Sequence, residues 1–268
     1  MKIAIIGAGN MGGAIALGLV KSKFCAPQDI WCTAKHSLTL ERLQELCPEF
    51  HTSMSNLEAC ELADVIILAV KPWLLESVID ELRPCVDFQR QLLVSVAAGV
   101  ALSDLKHYFM PYEASEGAPE PVIFRVVPNT AVAILEGVTL MAHAGASAEQ
   151  VASIQQLFSA LGYCAVVDES LIPAGTSLTS CGIAFALRYL RAAMEGGVEL
   201  GFRPEEAARM VAHTMRGAAS LLLENGVHPE VEIDKVTTAG GITIKGLNAM
   251  EKAGFTAAVI EGLKVSKS

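Results

Sequence analysis

The chain has no basic stripe, no long apolar run and no paired cysteines. Its 268 residues carry 29 acidic and 20 basic groups, a formal net charge of −9. A nucleic-acid surface would gather lysine and arginine on one face, so nucleic acid is not an expected partner. The longest unbroken apolar run falls far short of the roughly 20 residues a membrane helix needs, so no membrane partner is expected either. The chain begins directly on a strand-like run, which argues against a signal or transit peptide. Seven cysteines are an odd number and show no C-x-x-C spacing. They read as free thiols in a reducing cytoplasm, and no metal site is expected. Apolar material, by contrast, is plentiful: 52% of residues are hydrophobic and 18% charged, a globular composition with ample core.

The first part of the chain alternates strand-like and helical patterns. "KIAII", "DIWCT", "DVIILAV", "QLLVSVA" and "VIFRVVPN" read as strands, the third so continuously apolar that both its faces must be buried. Helical spacing separates them in "MGGAIALGLVKS", "LTLERLQEL", "LLESVIDELRPCV" and "LSDLKHYF", the last with Ser103 as a candidate N-cap. "EGVTLMAHA", a helix with Ser147 near its cap and Gly162 at its C′ position, and "YCAVVD" complete the pattern. This alternation predicts a doubly wound, mostly parallel α/β sheet over residues 1–168. From about residue 169 helices take over. "SLTSCGIAFALRYLRAAMEGGVELGF" is apolar nearly all round, and such a helix must be buried. A helical domain at 169–268 is too small to surround it, so a second subunit is expected to cover it. "RPEEAARMVAHTMRGAASLLLEN" has Pro204, Glu205 and Glu206 in its first turn and ends at Asn225-Gly226. "PYEASEGAPEP" is the one loop of disordered character.

Chemistry is concentrated at glycines. Gly7, Gly9 and Gly12 follow the first strand as G-x-G-x-x-G and open a helix, the context a dinucleotide-binding turn requires. Helix-start N–H groups there would hold a pyrophosphate. NAD sites usually place an acid at the end of the second strand, whereas this chain has Thr33, Ala34, Lys35 and His36. Lys35 can pair with a 2′-phosphate and Thr33 can hydrogen-bond it. NADPH is therefore favoured, with NADH left open and Lys35 as a merely solvated residue the bland alternative. Val70-Lys71-Pro72, Ala97-Ala98-Gly99 and Pro128-Asn129-Thr130 end further strands and would form the rest of the cleft, or only terminate strands. At 237–247, "TTAGGITIKGL" places two glycines before a helix, either an anion cradle suited to a carboxylate or an ordinary turn.

Together "GAGNMGGAIALGL", "DVIILAVKP", "SVAAGV", "RVVPNT", "MEGGVELGFRPEEA" and "AGGITIKGL" resemble the pyrroline-5-carboxylate reductase family over nearly the whole chain. The resemblance implies an N-terminal Rossmann domain, a C-terminal helical domain that interlocks with its partner in a homodimer, and dimers that assemble further. It implies NADPH-dependent reduction of 1-pyrroline-5-carboxylate to L-proline, the last step of proline biosynthesis. By matched position, Gly7, Gly9, Asn10, Met11 and Gly12 would hold the pyrophosphate. Asn56 would lie near the adenosine half, and Val70, Lys71, Pro72, Ala97 and Ala98 would line the nicotinamide side. Gly240, Gly241 and Ile242 would bind the substrate carboxylate through backbone amides, with Asn129 also in the substrate site. Thr243 would hydrogen-bond the ring nitrogen as the catalytic group.

Departures accompany the match. The family's "SGSGPAY" reads "TSCGIAF" at Thr179–Phe185, and "SPGGTT" reads "TAGGIT" at Thr238–Thr243. Backbone capture of a carboxylate survives these changes because it depends little on side chains. Two other readings stay open: a β-hydroxyacid-type dehydrogenase, and a family-like NADP-binding protein with an altered imine substrate or lost catalysis. The first usually needs a lysine on the long interdomain helix, where this chain has Arg188 and Arg191 and no lysine.

Overall fold

Four apolar residues in a row are fully buried only where both faces of a strand are covered. Ile3–Ile6 (β1) meets this condition: Ile3 and Ile5 enter one core, Ala4 and Ile6 another. The structure, a computed structural model, describes residues 1–110 and 119–267. Most of the loop read at "PYEASEGAPEP" therefore lies outside the described residues.

Seven more strands join β1: Ile30–Thr33 (β2), His51–Ser53 (β3), Val65–Leu68 (β4), Leu92–Ser95 (β5), Val122–Pro128 (β6), Gly137–Ala144 (β7) and Gly162–Val166 (β8). Their order is β3-β2-β1-β4-β5-β6-β7-β8, and among the described strands only the β6–β7 pair is antiparallel. This is the mostly parallel α/β sheet expected. The order of strands turns back between β1 and β4, which opens a crevice beyond their C-terminal ends. Helices Asn10–Lys21 (α1), Ser37–Leu46 (α2), Asn56–Leu62 (α3), Leu75–Leu82 (α4), Leu102–Phe109 (α5), Ala148–Ser159 (α6) and Ile172–Thr176 (α7) cover the sheet. Ile15, Leu19, Leu43 and Phe158 bring α1, α2 and α6 into one core. Cys60, Ile79, Phe109 and Ile172 bring α3, α4, α5 and α7 into the other.

Two local expectations are corrected. Ser103 is not the N-cap of α5: Ala101 is, and its N–H donates to Asp104 Oδ2 at 3.1 Å. The next N–H, of Leu102, donates to Glu169 Oε1 at 2.7 Å, so two carboxylates do the work expected of a serine. Gly162 is not a helix C′ residue. It starts β8 at φ +138, where a Cβ would overlap the backbone of Gly137 on β7. The edge strand β3 and helix α3 were not anticipated, because three partly exposed residues and a seven-residue helix leave little periodicity to read.

By backbone contact the chain divides into two compact units, Met1–Ser180 and Cys181–Ser268. The composition changes at about residue 169, but α7 still belongs to the first unit. Ile172 is buried in its core, and Gly175 lies so close to Leu140 of β7 that a Cβ would overlap that side chain. Arg125 Nη1 of β6 also donates to Glu169 Oε1 at 2.8 Å, tying this segment to the sheet.

The second unit is helical throughout: Gly182–Glu199 (α8), Pro204–Asn225 (α9), Pro229–Lys235 (α10), Ile242–Lys252 (α11) and Phe255–Val265 (α12). Helix α9 begins at Pro204 and ends on Gly226 in the left-handed conformation, as its sequence predicts. The helical run Glu169–Glu199 is long and apolar enough to cross a membrane by length and composition alone. Ala207 is the unit's one buried residue among those described. Leu187, Val259 and Ile260 are 58%, 44% and 50% exposed, and an apolar groove runs between Phe185, Tyr189, Met250, Phe255 and Val259.

Candidate cofactor and carboxylate sites

Each glycine of the first turn meets a different constraint. Gly7 adopts φ +95, and a Cβ there would lie 2.8 Å from Val70 Cγ1. At Gly12 a Cβ would overlap the Gly7 carbonyl oxygen and come within 3.1 Å of Ala69 Cβ, so glycine lets α1 pack against the strands. Gly9 differs: a Cβ would point into open space, with nothing within 4 Å. Protein packing does not require glycine there, whereas a ligand approaching the backbone does. Gly9 is also the N-cap of α1, with no side-chain cap and no acidic residue in the first turn. The N–H groups of Asn10, Met11 and Gly12 thus start a helix with nothing from the protein capping them, which suits a pyrophosphate.

The end of β2 is wired into this loop. The Thr33 carbonyl accepts from Gly7 N at 3.1 Å and Ala8 N at 2.6 Å. Its buried hydroxyl donates to Asn56 Oδ1 at 2.6 Å, and Asn56 Nδ2 donates to Glu81 Oε2 at 3.0 Å. Thr33 and Asn56, read separately from the sequence, belong to one hydrogen-bonded chain. Glu81, on α4, was missed; nothing local marks a residue 25 positions away as a partner of Asn56. Lys35 is exposed beyond Thr33.

The other strand-end loops are assembled at the same edge. Val70 touches the Gly7 turn, Lys71 is exposed, and Pro72 starts the short turn Pro72–Leu74. Ala97 is buried, with its N–H on Ser95 Oγ at 3.3 Å, while Ala98 is exposed. Asn129 is buried and its amide is spent on backbone. Oδ1 accepts from Ala131 N and Val138 N, each at 3.2 Å, and Nδ2 donates to the Thr179 carbonyl at 3.0 Å. Through the Thr179 carbonyl it holds the π-helical turn Ser177–Cys181, whose last three residues open the altered "TSCGIAF" segment. Among the described residues no three His, Cys, Asp or Glu side chains gather as a metal site would need. Burial pushes the Cys32 thiol up to about 12 and Cys164 up to about 11, which keeps both protonated at neutral pH.

The second glycine loop has the same kind of helix start. Gly240 adopts φ +69 and Gly241 N donates to the Thr238 carbonyl at 2.9 Å, turning the chain into α11. Gly241 is the N-cap, again with no side-chain cap and no acidic residue in the first turn. Thr237 is occupied, donating to the Ile233 carbonyl at 2.7 Å. Thr243 is half-buried in the first turn, while the Ile242 side chain is 87% exposed.

Comparison with known proteins covers both units. Residues 169–268 match the family model described as pyrroline-5-carboxylate reductase dimerisation, and residues 2–99 match one described as NADP oxidoreductase, coenzyme F420-dependent. Pyrroline-5-carboxylate reductase 2 of Dictyostelium discoideum is 34% identical over 280 residues, covering 99% of this chain and 90% of that protein. Pyrroline-5-carboxylate reductase 1 of the same organism is 37% identical, but this chain spans only 48% of its length. A solved pyrroline-5-carboxylate reductase from Coxiella burnetii superposes with a TM-score of 0.89 at 26% identity, covering 99% of this chain and 95% of that one.

Proposed function

The chain belongs to the pyrroline-5-carboxylate reductase family, and from that premise we infer how its own residues carry the reaction. It is an oxidoreductase that reduces the cyclic C=N bond of pyrroline-5-carboxylate to proline. The observation that carries the assignment of roles is the start of α11, uncapped and free of acids, with Thr243 in its first turn.

The backbone around Gly240, Gly241 and Ile242 receives the substrate carboxylate, as oriented N–H groups at a helix start favour an anion. Thr243 donates a hydrogen bond to the ring nitrogen. A protonated imine is already a strong electrophile, so no strongly basic side chain is needed, and the remaining proton comes from solvent. When bound, the reduced nicotinamide supplies the hydride to the imine carbon. What the chain adds is positioning. The first turn of α1 holds the pyrophosphate, Asn56, positioned by Thr33, lies beside the adenosine ribose, and the loops at Val70–Pro72 and Ala97–Ala98 line the nicotinamide side. Asn129 supports the substrate side by holding the turn at Thr179. Lys35 favours NADPH over NADH by meeting a 2′-phosphate.

The enzyme works as a homodimer, with higher assembly of dimers. A second copy, not a bilayer, covers the apolar faces of the helical unit, because Arg188, Arg191 and Glu195 lie along the same helix. Its setting is the cytoplasm, in keeping with seven cysteines that form no disulfide, and its role is proline biosynthesis. The test is oxidation of NADPH and of NADH by the purified protein in the presence of pyrroline-5-carboxylate. Turnover with the higher kcat/KM for NADPH is expected. Tight NADPH binding without turnover would overturn the assignment.

A further inference from the structure

The end of β2 lacks the acid that usually faces the ribose 2′-hydroxyl in NAD sites. A carboxylate from another element is nevertheless linked to this position through Asn56. Glu81 Oε2 accepts from Asn56 Nδ2 at 3.0 Å, and Asn56 Oδ1 accepts from the Thr33 hydroxyl at 2.6 Å. A single amide thus separates a carboxylate from the last residue of β2. The carboxylate is exposed, and none of the ion pairs among the described residues includes Glu81.

We propose that Glu81 is a specificity-determining residue for the nucleotide. Through Asn56 it does two things. It fixes which end of the Asn56 amide faces Thr33, because only Nδ2 can donate to a carboxylate and Oδ1 is then left to accept. It also sets a negative charge beside the ribose end of the site, which opposes the 2′-phosphate of NADPH and is neutral toward NADH. The preference for NADPH is therefore a balance, with Lys35 raising it and Glu81 lowering it. A neutral isostere at 81 keeps an acceptor for Asn56 and removes only the charge.

This inference rests on the cofactor assignment above, and its test separates the two. NADPH and NADH are each titrated into the wild type and Glu81→Gln without imine, and kcat/KM for each is measured with pyrroline-5-carboxylate. Glu81→Gln should raise the NADPH-to-NADH ratio about three- to fivefold, the scale of repulsion between a carboxylate and a phosphate several ångströms apart near a surface. The rise should come through tighter NADPH binding and shrink as salt is added. Glu81→Ala should raise the ratio as well while weakening both nucleotides, since Asn56 then loses its partner. A ratio unchanged in both variants, or equal losses for both nucleotides in Glu81→Gln, would overturn the proposal. Failure of imine turnover would count against the reaction assigned above, while the binding ratio would still decide the role of Glu81.

Discussion

The two units of this chain finish their interiors to different degrees. The first buries whole strands on both faces and closes a core on each side of its sheet. The second has Ala207 as its one buried residue among those described, and leaves Leu187, Val259 and Ile260 largely in water. Both are rich in apolar residues, so composition does not separate them; connectivity does. A sheet brings distant segments together within one chain, whereas a few helices of this length have too little material to enclose one another. The first unit is complete as a single chain. The second leaves its apolar faces open within the single chain, and its matched family model is described as pyrroline-5-carboxylate reductase dimerisation.

Four substitutions probe that contrast. The largest effect is expected from Val259→Glu, on the apolar groove of the helical unit. An unpaired charge at a covered face costs about 3–5 kcal/mol, a loss of more than about a hundredfold in association. Analytical ultracentrifugation should show dissociation while the first unit still binds NADPH. A variant that stays associated would remove this groove from the interface. Next comes Thr243→Ala, which should lower kcat by about a hundredfold, the usual scale for a lost donor to a reacting group, and leave the NADPH Kd alone. Unchanged turnover would take Thr243 out of the mechanism. The smallest effects separate two glycines of the first unit. Gly12→Ala forces a Cβ into the Gly7 carbonyl and should cost about 1–3 kcal/mol of stability. Gly9→Ala loses only an N-cap preference, so it should lower Tm less than Gly12→Ala, but it should weaken cofactor binding by about tenfold, equivalent to about 1.4 kcal/mol. Thermal denaturation with and without NADPH distinguishes them, and equal losses of Tm would show that Gly9 is structural.

What the sequence revealed and what it hid follow from range. The strands at Ile3–Ile6 and Val65–Leu68 announce themselves because burial on both faces demands unbroken apolar runs. The glycine turn is legible because its three constraints fall within six residues. Short elements such as His51–Ser53 and Pro229–Lys235 carry too few residues for a period to emerge. Helix α5 was legible, but its cap was not: Glu169, which takes the Leu102 N–H, lies 67 residues away. The same limit applies at the site. Thr33, Lys35 and Asn56 stand at recognisable positions, but the partner of Asn56 comes from another helix. Asn129 has a recognisable place at a strand end, yet only the folded chain shows its amide committed to the backbone of Ala131, Val138 and Thr179.

The meeting of Gly137 and Gly162 has a consequence for alignment. An edge strand is held on one side only, so it is the strand most free to slide. In β8 a shift of one residue would turn Tyr163, 68% exposed, inward and Cys164, 5% exposed, outward. Gly137 pairs with Gly162 at the start of β8, where the gap admits no Cβ. Every neighbouring residue of β8 has one. A misaligned β8 is therefore refused at its first position, before the rest of the strand can pair.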